Sequence, residues 1–296
     1  MIIRFKPVYQ NYVWGGSKFA KAILRSDAPE KTAESWEIAD RPEGMSVAVS
    51  SNYLGRTLAS LVDQMGEKLI GKGRDASRFP LLVKILDAAE PLSVQVHPDD
   101  ETAALMGSEA KAEAWVALED SSVLAGIRPG LMSDVVSQMD RLCLKRGEAL
   151  YIPGGTVHAI CGGSLLLEVQ QNSNTTYRLF DWGRNRPLQV EEALRAMKFQ
   201  PASFQPIRCI GTKGVSEHLR LIESPYFVVE RIVGECSLSV DPRSFQIFFC
   251  EAGEGEIISS GCVEEMRRGD TVLVPACAKS VQLEGRMRVI RIFLPH

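Results

Sequence analysis

No pair of cysteines stands in a C-x-x-C arrangement, and the seven cysteines are odd in number. Neither a disulfide framework nor a thiolate zinc site is therefore expected. There is also no basic stripe. Lys+Arg number 34 against 37 Asp+Glu, a net charge of −3 with the two signs mixed along the chain. That balance argues against nucleic acid or an anionic membrane surface as a partner. Nor is there an unbroken apolar run fit for a bilayer. The one long uncharged stretch, 149–167, contains Pro153, Gly154, Gly155, Gly162 and Gly163, which would break a spanning helix. It reads as two apolar strands joined by a turn. The opening MIIRFKPVYQ has Arg4 and Lys6 but no apolar block after them, so a secretory leader is not expected. Reduced thiols in a cytoplasmic protein are the matching expectation.

What is present is a soluble, core-forming composition, 45% apolar and 24% charged over 296 residues. That length lies between one large domain and two ordinary ones. Short β-type runs recur at Glu37–Ala39, Val47–Ser50, Leu81–Leu86, Leu92–His97, Ala112–Leu118, Ala149–Pro153, Leu165–Gln170 and Thr176–Asp181. Gly, Pro, Asp and Asn separate them, as in an all-β sandwich or barrel. Helical spacing is confined to Leu58–Ile70, Ser133–Leu142 and Val190–Met197. Helices are thus expected to decorate a β core.

One internal echo bears on domain organisation. Arg146-Gly-Glu-Ala-Leu-Tyr-Ile-Pro153 is repeated as Arg268-Gly-Asp-Thr-Val-Leu-Val-Pro275. Each is an Arg-Gly-acid turn, an apolar run and a proline, which ends a ladder because it has no N–H to donate. The echo predicts two similar β-barrel units, 1–205 and 206–296, with the boundary in Glu192–Pro206.

Four histidines make the metal question tractable. His218 and His296 lie in charged or terminal settings and are expected to be solvated. His97 and His158 stand in apolar, strand-like surroundings. In Ser93-Val94-Gln95-Val96-His97, strand alternation puts Ser93, Gln95 and His97 on one face and the valines on the other. Pro98 favours extended geometry at His97. Such a face lines a pocket better than it builds a core, and Gln95 and His97 can share one ion of the Zn²⁺ type. His158 follows Pro153 by a Gly-Gly turn, whereas the second copy of the repeat has Ser280 at the matching position. A carboxylate is needed to balance the charge, and pattern leaves Glu113, Glu148 and Glu168 open.

The stretches FPLLVKILDA (79–88), PLSVQVHPDDE (91–101), KAEAWVAL (111–118), YIPGGTVHAI (151–160) and LLEVQQNSNTTYRLFDWGR (166–184) resemble, in order and spacing, the type I phosphomannose isomerases in their short bacterial form. NYVWGG (11–16) and ESWEIAD (34–40) resemble them too, so the likeness covers roughly the first 200 residues. The resemblance implies a mainly β fold of two cupin-type (jelly-roll) barrel modules with a few short helices, and one Zn²⁺ per chain in the first module. The second module would lack metal ligands. By the same resemblance the ligands fall on Gln95, His97, Glu113 and His158, and the active-site arginine on Arg178. The substrate-pocket lysine, serine and glutamate fall on Lys84, Ser93 and Glu168. Asn174, Gln189 and Ala112 depart from residues common in the family.

The implied reaction interconverts mannose 6-phosphate and fructose 6-phosphate through an enediol(ate), which needs an electrophile for the oxyanion and a base beside the carbon acid. Arg178 and Lys84 supply fixed positive charge; the base is open among Glu168, a zinc-bound water and Lys84. Without the resemblance, Lys84 could be a snorkelling strand lysine and Arg178 a partner of Asp181. The competing classes are a non-catalytic sugar-phosphate-binding cupin and, with a poorer ligand match, a cupin Fe²⁺ oxygenase. A small sugar phosphate is the expected partner, and the sequence carries no signal of oligomeric state.

Overall fold

The computed structural model describes residues 1–128, 135–199, 205–207 and 217–296. Its architecture is mainly β with few helices, and the ladders between its strands are antiparallel. Three main sheets are formed, none of which closes on itself among the described residues. A six-stranded sheet runs Ala149–Ile152, Glu113–Ala117, Ser164–Gln171, Leu81–Ala88, Glu34–Ile38, Val8–Gln10. A five-stranded sheet runs Asp140–Leu144, Ser121–Ala125, His158–Ile160, Val94–Val96, Tyr177–Phe180. A nine-stranded sheet joins the strands after residue 217 to Ile3–Lys6 and Val47–Ala48 from the start of the chain.

The six-stranded sheet is the middle layer, and its sequence says why. A sheet covered on both faces reads as nearly continuous apolar runs, and Leu81–Ala88 is buried at every position. Alternate residues serve different sides. Leu81, Val83, Ile85, Ala114, Val116, Leu165, Leu167 and Val169 join Phe79, Phe245, Phe249 and Ile290 in the largest apolar core, toward the nine-stranded sheet. Leu86, Trp115, Ala117 and Leu166 face the other way and pack with Val123, Ala125, Leu150 and Ile160. Each such Leu, Ile or Val contributes roughly 1.5–3 kcal/mol relative to exposure. The polar residues Lys84, Glu113 and Glu168 alternate with the first set, so they point toward the five-stranded sheet. The outer face of that sheet is closed by helix Val190–Ala196, whose Ala193 and Ala196 pack on Val94, Val96 and Ala159.

Three local expectations are corrected. The stretch 58–70 is two helices, Leu58–Met65 and Glu67–Ile70, because Gly66 takes a positive φ of 51° between them. No helix runs through the described part of Ser133–Leu142. Val136–Gln138 is a single 3₁₀ turn and Asp140–Leu144 is a strand paired with Ser121–Ala125; residues 133 and 134 lie outside the described residues. The uncharged stretch 149–167 makes parts of three strands. Its middle one, His158–Ile160, belongs to the five-stranded sheet while its neighbours belong to the six-stranded one. The repeat is visible in the backbone. Gly147 and Gly269 both have left-handed φ, 89° and 93°, and the strands that follow stop at Ile152 and Val274, each just before its proline.

Candidate metal centre and adjoining cleft

The face predicted from 93–97 exists, and ladder register extends it. Gln95 stands opposite His158 on one side and Arg178 on the other. His97 is brought to the same place by the Gly154–Gly155 turn. Gly155 N–H donates to His97 O (2.7 Å), and at Gly154 a side chain would meet the Asp99 backbone at 2.7 Å, so the close approach requires glycine. From the opposing sheet, Glu113 reaches across. Its Oε1 lies 3.1 Å from His158 Nε2 and its Oε2 lies 3.3 Å from His97 Nε2. The ligating atoms of His97, Glu113 and His158 all fall within 4.8 Å of one another, and the three residues are buried.

Hydrogen bonding prepares these groups for a cation. His97 Nδ1 donates to Thr175 O and His158 Nδ1 to Thr156 O, both at 2.8 Å. Each Nε2 then carries a lone pair turned to the centre, that of His97 with Lys111 Nζ at 3.2 Å. Both Glu113 oxygens are buried and without a well-aligned hydrogen bond. Oε2 has the Lys111 ammonium at 2.9 Å, while Oε1 faces only the His158 Nε2 lone pair at 3.1 Å, a costly arrangement unless a cation sits between them. Gln95 places its amide 3.4 Å from His158 Nε2 and accepts from Ser93 Oγ at 3.2 Å. A half-turn of the amide exchanges its two ends and turns oxygen inward. Burial, with Lys111 beside it, pushes the His97 pKa down to about 3, so the ring stays neutral and able to ligate. Burial opposes ionisation of Glu113, yet Lys111, His158 and His97 hold it well below the usual carboxylate range.

Above this cluster opens a cleft of about 330 Å³ lined by Lys84, Ser93, Gln95, Lys111, Glu168 and Arg178, among others. A larger hollow beside Glu254–Arg267 holds no histidine. Lys84 is 4% exposed and lies 3.4 Å from Glu34 and 3.5 Å from Glu168, so it does not snorkel. Burial works against its charge, but Glu34 and Glu168 hold its pKa above the ordinary lysine range. Glu168 is shifted upward, by burial first and by Glu113 second. Arg178 does not pair with Asp181, which Arg186 engages at 2.7 and 2.6 Å. Arg178 donates instead to Pro187 O (2.8 Å), and its buried Nε has no partner.

All eight predicted site residues therefore meet at one place. His218 pairs with Glu230 (2.7 Å) and His296 lies 3.6 Å from Asp241, both apart from the cluster. Glu148 accepts from Lys145 N in the repeat turn (2.9 Å) and is not a ligand. Of the departures from the family pattern, Asn174 and Gln189 line the cleft, and Gln189 Oε1 accepts from Arg178 N at 3.2 Å. Sequence reasoning missed Lys111, whose Nζ is 2.9 Å from Glu113 and 3.2 Å from His97. It also missed Glu34. Lys111 stands two positions before Glu113, on the same alternating face, and that spacing was the available signal.

Comparison with known proteins places the chain among relatives of one family. Residues 2–122 match the family described as phosphomannose isomerase type I, catalytic domain, and residues 217–294 match mannose-6-phosphate isomerase, cupin domain. The chain is 33% identical to mannose-6-phosphate isomerase ManA of Bacillus subtilis, over 95% of each chain. It is 32% identical to the mannose-6-phosphate isomerase of Streptococcus mutans, over 94% of this chain and 93% of that one. Among solved structures, the mannose 6-phosphate isomerase of Bacillus subtilis superposes with a TM-score of 0.87 at 28% identity, covering 98% of this chain and 99% of that one.

Proposed function

The chain belongs to the type I phosphomannose isomerases, a family of enzymes, and from that premise we propose that it interconverts mannose 6-phosphate and fructose 6-phosphate with one bound Zn²⁺. The observation that carries the reading is the convergence of His97, Glu113 and His158 beneath a cleft that also holds Lys84, Glu168 and Arg178. His97, His158, Glu113 and the amide oxygen of Gln95 would hold the ion, a donor set suited to zinc. Two imidazoles anchored through Nδ1, with their Nε2 atoms turned on the buried Glu113 carboxylate, support that fit. When bound, the ion supplies fixed positive charge for the developing oxyanion.

The remaining work falls to this chain's side chains. In the forward direction one proton leaves C2 of the aldose and one arrives at C1, and the hydroxyl proton passes from O2 to O1 as the carbonyl moves from C1 to C2. No external oxidant or reductant is consumed. Glu168 is the best-placed proton carrier, because its raised pKa lets it both accept and return a proton. Lys84, kept charged by two carboxylates, serves as a fixed cation and not as the base. Arg178, with an unused buried Nε, offers a guanidinium to substrate oxygens. Ser93 orients Gln95 from the cleft wall.

We also infer two similar β modules divided near residue 205. The matched Gly147 and Gly269 turns support this, although the strand Ile3–Lys6 runs with the later strands. The six described cysteines are free, which fits a reducing cytoplasm. No helix among the described residues is long and apolar enough to cross a membrane.

The test is metal quantification on purified protein beside a coupled mannose 6-phosphate assay. About one zinc per chain with turnover is expected. Full turnover in metal-free protein would overturn the zinc assignment, and binding without turnover would leave only a sugar-phosphate receptor.

A further inference from the structure

Four side chains make one cross-strand row in the six-stranded sheet. Trp36 stands opposite Lys84, Lys84 opposite Glu168, and Glu168 opposite Trp115. Residues paired in this way project on the same face, here the face toward the metal cluster. The two tryptophans do the same job at the two ends. Trp36 Nε1–H donates to Glu34 Oε2 at 2.5 Å, and Trp115 Nε1–H donates to Glu168 Oε2 at 2.9 Å. The other Glu168 oxygen faces Lys84 Nζ at 3.5 Å. With both oxygens engaged on opposite sides, the carboxylate cannot rotate.

Trp115 has a second contact that Trp36 lacks. Its ring meets the His158 imidazole edge-on, with centroids 5.6 Å apart and planes at 67°. It also sits two positions from Glu113 on the same strand, so its backbone is fixed by the strand that carries that ligand. We propose that Trp115 is a positioning residue, a single brace that fixes the Glu168 carboxylate and the His158 imidazole relative to each other.

The chemistry of indole suits this task. Its N–H is a donor only, so it stabilises the ionised carboxylate and cannot compete for the proton. The rest of the ring is apolar and survives in a dry sheet interior, where Trp115 is 0% exposed. Phenylalanine would keep the ring against His158 and leave one Glu168 oxygen without a partner.

The inference rests on the isomerase reading, and its test separates the two. kcat, KM for mannose 6-phosphate and bound metal are measured for wild type, Trp115→Phe, Glu168→Gln and the double variant. Trp115→Phe is expected to lower kcat about tenfold or more while metal is retained. In the Glu168→Gln background the same change is expected to alter kcat by less than about twofold. An equal loss in both backgrounds, or loss of metal, would mean that the ring is only core. An NMR measurement stands independently of activity and of whether Trp115→Phe folds. The chain has four tryptophans, so the indole N–H signals are few, and Glu168→Gln should displace the one belonging to Trp115. An unmoved signal overturns the brace. Wild-type protein without turnover would sink the isomerase reading, and the indole signal would then decide the brace alone.

Discussion

Gln95 stands directly opposite His158 in one antiparallel ladder, and its amide nitrogen is 3.4 Å from the imidazole Nε2. Two groups that each need a partner are thus held face to face in a buried place. Neither makes a well-aligned hydrogen bond to Glu113, whose Oε2 has Lys111 beside it and whose Oε1 faces the His158 Nε2 lone pair. A bound metal ion would engage His158 Nε2, Glu113 Oε1 and a turned Gln95 amide together.

Chelation is expected to abolish turnover and to lower the thermal midpoint, since a ligand that binds only the folded state stabilises it. Returning Zn²⁺ should restore both. A midpoint indifferent to chelator, in protein shown by analysis to have lost its metal, would contradict a buried site of this kind.

Arg178→Ala is expected to remove turnover and to leave metal content unchanged. Its side chain bonds Pro187 O, and its pairing with Gln95 is through the strand ladder. Loss of metal in this variant would make Arg178 a structural residue.

Lys84→Met leaves Glu34 and Glu168 buried without their shared cation. Stability should fall by ~3–5 kcal/mol, read from denaturant midpoints, because the remaining charges are uncompensated. The double change Lys84→Met with Glu168→Gln should recover part of that loss; no recovery would mean that the lysine matters through packing.

The pH dependence of metal-free protein has a definite sign. His97 takes up a proton near 6.5 when unfolded but only near 3 when folded, because burial and Lys111 disfavour the cation. The unfolded state therefore binds more protons across that window, and stability falls as pH falls. Glu113, lowered in the fold, adds loss in the same direction below 4.5, while the raised Glu168 opposes it. Between pH 7 and 5 the His97 contribution is on the order of 2 kcal/mol. Equal urea midpoints at the two values for chelated protein would refute the assignment, and His97→Gln should flatten the profile.

Much of the site was legible because strand alternation is local. Ser93, Gln95 and His97 share a face whatever the rest of the chain does. The lysine and glutamate on the middle sheet stood out less, since a doubly covered strand shows no alternation of polarity against which Lys84 or Glu168 could be aligned. Trp115 reads as core in any sequence analysis. Its partner lies on a different strand, and only the register Glu168 opposite Trp115 reveals it. The stretch 133–142 failed for a related reason. Val135, Val136, Met139 and Leu142 have helical spacing, but pairing of Asp140–Leu144 with Ser121–Ala125 outweighs it. At 58–70 the stripe was right and the left-handed Gly66 interrupted it.

The pairing of Ile3 and Arg4 with Leu273 and Val272 joins the first strand to one near the carboxyl end. During synthesis Ile3–Lys6 can join Val47–Ala48 early, but its other edge waits until Thr271–Val274 has left the ribosome. Its unpaired N–H and C=O groups stay available to other partners meanwhile. One sheet of this enzyme is thus sealed between strands made far apart in time.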